Sequence, residues 1–183
     1  MEGKKNVVFG FIYFIATASL GLVMSNMLGT INEKEAAKAQ ELSNLEQKVQ
    51  SGFMMAETPG DAWREANSQS IMAINDWLKA EGQVGAIKGG PHAHGNLESV
   101  LNILVGFLLM FIAAPSAFKQ LISWLFILAA LLHSGMLYMV VMFQQGWALT
   151  VLNTGIGPIA LLAGFLLMAI AAGIGLRPER HTF

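Results

Sequence analysis

Pro91-His92-Ala93-His94-Gly95-Asn96-Leu97-Glu98-Ser99-Val100-Leu101-Asn102 leads into a run that stays apolar to Ala114, where Pro115 stops it. The residue before a proline is pushed out of the helical region, so Leu97–Ala114 reads as one helix with a defined end. At 1.5 Å per residue such a run is of a length to cross a bilayer, which needs about 20 apolar residues. The polar groups at its mouth are the unusual part. His94, Glu98 and Asn102 are spaced i, i+4, i+8, and a helix begun near Asn96 and continued back to His94 aligns all three. A polar stripe entering a bilayer is costly unless it faces protein, water or a ligand, so this end of the helix is the first place to look for function.

Three further runs have the same character. Val7–Leu28 follows Lys4 and Lys5, as a signal peptide would, but it is too long for a signal core and no small-x-small site follows it. It reads as an uncleaved membrane helix. Phe118–Phe143 is the third span. Trp147–Leu176 is apolar throughout but interrupted by Gly155-Ile156-Gly157-Pro158. This pattern favours an irregular or re-entrant stretch up to Gly157 and a span from Pro158 to Leu176, with one kinked helix as the other option. The fold class expected is all-α, an integral membrane four-helix bundle.

Composition agrees. The chain has 183 residues, 54% hydrophobic and 13% charged, against about 25% charged in an average soluble domain. A net charge of -1 and the lack of a basic cluster give no support for nucleic acid as a partner. Without cysteine, disulfides, thiolate-bound zinc, iron–sulfur clusters and covalently attached c-type haem are excluded. A metal or haem would have to use His, Met, Tyr or carboxylate. The P-loop, GxSxG, HExxH and dinucleotide fingerprints are missing.

Lys and Arg set the expected orientation. Lys4 and Lys5 precede the first span, Lys119 lies between the second and third, and Arg177 and Arg180 follow the fourth. Four crossings put all five on one side, the cytoplasm by the positive-inside rule, with both termini. The reading is of a bacterial inner-membrane protein with His92 and His94 at the outer face.

The segment between the first two spans is expected to be an extramembrane helical hairpin. Thr30-Ile31-Asn32-Glu33 has capping-box spacing, after which Leu42, Leu45 and Val49 share a helical face until Gly52. Thr58-Pro59 is a second start signal, followed by Trp63, Asn67, Ile71, Ile74 and Leu78 at helical spacing until Gly82. The Gly-rich stretch Gly82–Gly95 reads as a loop. The resulting organisation is a first transmembrane helix over 1–29, an outer hairpin and loop over 30–95, and a three-span bundle over 96–183.

His92 and His94 are candidate metal or haem ligands, with Glu98 as an oxygen ligand or as the group that orients a histidine. The plain alternative is a pair of solvated loop histidines. His133 lies inside the third span beside Ser134, where a neutral imidazole bonded to a carbonyl is the competing reading. Tyr138 stands five residues further along, either facing the His94 side or in the aromatic belt. The eleven methionines read as packing. Ala160, Gly164, Ala169 and Gly173 offer small residues for close helix contacts or an oligomer interface.

Ala93-His94, Asn102, Tyr138 and Gly155-Ile156-Gly157-Pro158 occur in an order similar to that in the styrene oxide isomerase family, small four-span membrane enzymes that form trimers and hold haem b. The likeness covers about the last 90 residues, and Ala130 stands where that family has an aspartate. It implies His94 as the axial haem ligand, with Tyr138 and Asn102 positioning an epoxide oxygen of a small apolar substrate. Ferric haem would then act as a Lewis acid in an isomerase reaction without net redox change. The alternative is a non-catalytic helical subunit of a larger membrane oxidoreductase or monooxygenase complex. In either case the lipid bilayer is a partner, with a homo-oligomer, a trimer by resemblance, or complex subunits as protein partners.

Overall fold

The computed structural model describes residues 2–55 and 60–175, and all the described structure is helix and connecting turn, with no strand. The helices are α1 (Lys4–Ala18), α2 (Leu20–Met55), α3 (Asp61–Ile87), α4 (Ala93–Phe111), α5 (Ser116–Ala130), α6 (Met136–Phe143), α7 (Gly146–Asn153) and α8 (Ile156–Gly175). Two π-helical turns, Lys88–His92 and Leu131–Gly135, join α3 to α4 and α5 to α6. Four helical stretches are long and apolar enough to cross a membrane: Lys4–Ser51, Asp61–Phe111, Ser116–Phe143 and Ile156–Gly175. The chain divides into two compact units, one formed up to Gly21 and from Ala86 onward, the other by Leu22–Gly85.

The first unit is a bundle with polar groups inside and large apolar groups outside. Asn6, Thr17, Glu98, Ser99, Asn102, Ser123 and Ser134 are buried, while Phe11, Ile15, Leu104, Phe111, Ile159, Leu162 and Ile174 are exposed. That distribution suits a lipid surround, in which burying Leu from lipid gains little and close packing with interhelical hydrogen bonds holds helices together.

Small residues let α1 lie antiparallel against α4. A Cβ on Gly10 would come within 2.7 Å of the Ser99 carbonyl oxygen, one on Gly106 within 2.7 Å of the Gly3 carbonyl oxygen, and one on Gly95 within 2.3 Å of the Thr17 side chain. Buried amides then fix the register. The Asn6 Nδ2 donates to Asn102 Oδ1 (3.0 Å) and to the Ser123 carbonyl (3.0 Å), and the Ser123 hydroxyl donates to Asn6 Oδ1. A core of Val105, Leu109, Ile112, Ile122, Phe126, Met168 and Ala171 ties α4, α5 and α8 together. Lys5 reaches Gln120 (2.5 Å) and lies 4.1 Å over the Trp124 ring, and Lys119 pairs with Glu2 (3.3 Å). Lys5, from before the first span, and Lys119, which follows the second, therefore share one end of the bundle.

Three expectations change. Gly82–Gly95 is helical rather than a loop; its one break is a kink at Gly90 (φ -94, ψ -109), which the following Pro91 forces out of the helical region. Gly29 and the Thr30 capping box lie inside α2, so neither ends or starts a helix. The residues before Gly157 form α7 and a turn at Thr154-Gly155 rather than an irregular stretch. Gly155 takes φ +68, a left-handed value that favours glycine, and Pro158 sits in the first turn of α8, where its missing N–H costs nothing.

The second unit is a helical hairpin, as expected, with a seam that uses part of the expected faces. Lys34 pairs with Asp76 (3.6 Å), the Ser70 hydroxyl donates to the Glu41 carbonyl (3.0 Å), and Lys48 donates to the Ala62 carbonyl (3.3 Å). These fix an antiparallel register. Ala66, Ser70 and Ala80 are buried between the helices, while Leu42, Val49, Ile71 and Leu78 stay exposed. Small side chains let the backbones approach, and of the helical repeats read from sequence Leu45, Trp63, Asn67 and Ile74 are half-buried while the others face outward. The start signal at Thr58-Pro59 lies outside the described residues.

Candidate functional site

The polar stripe on α4 is real, and its three members end in different surroundings. Successive i+4 steps advance 40° around a 3.6-residue helix, so the stripe drifts from surface to core. His94 is exposed, Glu98 is 2% exposed and Asn102 is 1% exposed. Asn102 is fully engaged: its Nδ2 donates to the Glu98 and Phe126 carbonyls (3.0 and 3.1 Å) and its Oδ1 accepts from Asn6. It joins α1, α4 and α5.

Glu98 is the centre of the site. Its Oε1 lies 2.6 Å from His133 Nδ1, and its Oε2 accepts from the Ser134 hydroxyl. With that hydrogen committed to the carboxylate, the Tyr13 hydroxyl donates to Ser134 Oγ at 2.9 Å. The His94 ring packs edge-on against His133, centroids 4.8 Å apart and planes at 63°. His94, His133, Glu98, Ser134 and Tyr13 thus form one connected chain across three helical segments.

The second π turn makes this possible. Neighbours on an α-helix point about 100° apart and rarely share a target. In the turn Leu131–Gly135, His133 and Ser134 both reach the same carboxylate, one per oxygen. Such turns cost regular hydrogen bonding and recur at functional sites. The Ala130 carbonyl lies close to both hydroxyls, 3.3 Å from Tyr13 and 3.2 Å from Ser134, as an alternative acceptor for either hydrogen. Gly157 lies against the turn so closely that a Cβ would stand 2.8 Å from His133 N and from the Leu132 carbonyl carbon.

His92 is occupied elsewhere. It closes the first π turn and its Nδ1 donates to the Thr17 carbonyl at 3.0 Å, beside a Thr17–Asn96 hydrogen bond of 2.8 Å. Tyr138 rests against Phe143 with centroids 5.9 Å apart and makes no hydrogen bond to the Glu98 cluster among the described residues. The carbonyl-bonded His133 considered from sequence is instead a carboxylate-bonded one. Tyr13 and Ser134 were not singled out as partners of the α4 stripe; the signal was a lone phenol in the first span and a hydroxyl next to an intramembrane histidine.

Among the described residues, no group of three or more His, Asp or Glu side chains is arranged to hold a metal ion. What stands together is two imidazoles and one carboxylate whose oxygens are already bonded within the protein. No family model, curated protein or solved structure matches this chain.

Proposed function

We propose that this is an integral membrane protein that binds a metal, as haem iron or as a single ion, through His94 at the outer end of its bundle. The observation that carries the reading is a buried carboxylate bonded to His133 at 2.6 Å, with exposed His94 packed edge-on against that histidine. A carboxylate behind an imidazole is the arrangement that fixes the ring and raises its basicity as a metal ligand. Ionisable groups inside a membrane bundle are expensive and mark functional sites. Lys5 and Lys119 lie together at the far end of the bundle, which supports a cytoplasmic side there by the positive-inside rule.

A bound metal supplies Lewis-acid activation of a substrate oxygen, the redox-neutral, isomerase-like chemistry that the sequence resemblance implies for a small apolar substrate. The chain's own contribution is to hold the ligand ring and to present hydroxyls. Tyr13 and Ser134 are the hydroxyls joined to the cluster. The test is elemental analysis and an absorption spectrum of the detergent-purified protein and of His94→Ala. Metal or haem in the wild type, lost in the variant, supports the reading; wild type that takes up neither overturns it.

The second reading, a non-catalytic subunit, is favoured by the hairpin, where Ile71 and Leu78 are 52% and 51% exposed. A metal-free protein that co-purifies with defined membrane partners supports that reading instead.

A further inference from the structure

We infer that His94 and His133 together bind one divalent transition-metal ion of the zinc or copper(II) class, with Glu98 holding His133 from behind. This deepens the metal reading above and rests on it. His133 turns Nδ1 to Glu98, which leaves Nε2 as its free ligand atom. Glu98 is itself spent, since its second oxygen accepts from Ser134, which is in turn bonded by Tyr13. The carboxylate therefore orients a ligand rather than serving as one. His94 makes no hydrogen bond among the described residues, and its ring touches the His133 ring.

The ring spacing separates an ion from a haem. Metal–nitrogen bonds of about 2.0–2.1 Å at a tetrahedral angle put two imidazole centres about 5 Å apart. Two histidines on opposite faces of a haem iron, with bonds of the same length, would have ring centres about 6 Å apart and a porphyrin between them. The observed 4.8 Å, with the rings in edge contact, suits two ligands on the same side of one ion. Imidazole nitrogen suits zinc and copper. Two protein ligands leave the remaining positions for water or an oxygen-bearing molecule, one protein ligand fewer than in the usual catalytic zinc site, so the ion is held more loosely and exchanges more readily. The exposure of His94 gives an entry route.

The test uses full-length protein in detergent, stripped with chelator and titrated with Zn2+, with X-ray absorption to count imidazoles on the zinc. Wild type is expected to bind one zinc through two imidazoles. His94→Ala and His133→Gln are each expected to leave one imidazole and to weaken binding by at least about tenfold, the loss that even an outer partner of a ligand causes. The glutamine amide still donates to Glu98, and a melting curve confirms that this variant is folded. Zinc on one imidazole or none in wild type, or His133→Gln binding as tightly as wild type, overturns the inference. Haem held through His94 in both wild type and His133→Gln overturns it while leaving the metal reading intact. A wild type that binds neither zinc nor haem overturns both.

Discussion

Three glycines on α8 give a graded test of how the π turn is seated. A Cβ on Gly157 would stand 2.8 Å from His133 N, Leu132 C and the His133 Cβ; two of these are backbone and cannot rotate away. At Gly164 the nearest atoms belong to the Phe126 ring, at 3.0 and 3.1 Å, and at Gly173 nothing lies within 4 Å. Replacing each in turn by alanine adds the same methyl group with different consequences. Gly173→Ala is expected to be neutral or to stabilise by up to about 1 kcal/mol, the helix-propensity gain. Gly164→Ala meets a ring that gives by a few tenths of an ångström, so gain and overpacking nearly cancel. Gly157→Ala is expected to cost about 1–3 kcal/mol, the usual range for overpacking a close contact. Equilibrium unfolding in mixed micelles measures all three. Gly157→Ala should also lose affinity for zinc, because the displaced turn no longer presents His133 to Glu98, whereas Gly173→Ala should not. Equal stability of the Gly157 and Gly173 variants would refute the close seating of α8 on the π turn.

Asn6→Ala removes the donor to Asn102 and Ser123 and is expected to destabilise the bundle by about 1–2 kcal/mol, near the upper range for interhelical hydrogen bonds in membranes, as read by the same unfolding assay. In the hairpin, Lys34→Ala breaks an exposed ion pair and should change stability by about 0–1 kcal/mol. Ser70→Leu puts bulk into a seam where Ser70 is 2% exposed and should cost about 1–3 kcal/mol, so a hairpin that tolerates it would have a different register. Glu2 is held below its ordinary carboxylate value chiefly by a hydrogen bond from Ser116, with Lys119 adding to it. Because the folded value is depressed, its stabilisation is intact above the ordinary value of 4.5 and is lost as pH falls through the folded one. Melting curves taken across that range should show an acid-side loss that Glu2→Gln flattens.

The spans were legible because length and apolar content alone set them, and Pro115 marked the end of α4 correctly to within a few residues. The α4 stripe was legible because His94, Glu98 and Asn102 lie on one helix and share its period. Their partners were not, because Tyr13 and Ser134 come from other helices and only packing joins them to Glu98. Glycine carried two opposite meanings. At Gly90 and Gly155 it marks a kink and a left-handed turn, as sequence suggests. Elsewhere, at Gly10, Gly95, Gly106 and Gly157, it marks a backbone approached by another helix, and nothing local distinguishes the two. The hairpin seam was legible only in part for a similar reason, with Leu45, Trp63, Asn67 and Ile74 half-buried and Leu42, Val49, Ile71 and Leu78 exposed. Leu, Ile and Val announce an apolar face, but Ala66, Ser70 and Ala80 let the helices come closest, and the closer face becomes the seam.

The most direct measurement of the central claim is an anomalous difference map from crystals of the full-length protein grown with Zn2+. The account predicts a single strong peak within about 2.0–2.1 Å of a nitrogen of His94 and of His133 Nε2, with Glu98 still bonded to His133 Nδ1. A map with no peak between those two rings, or with the metal bound elsewhere, would contradict it.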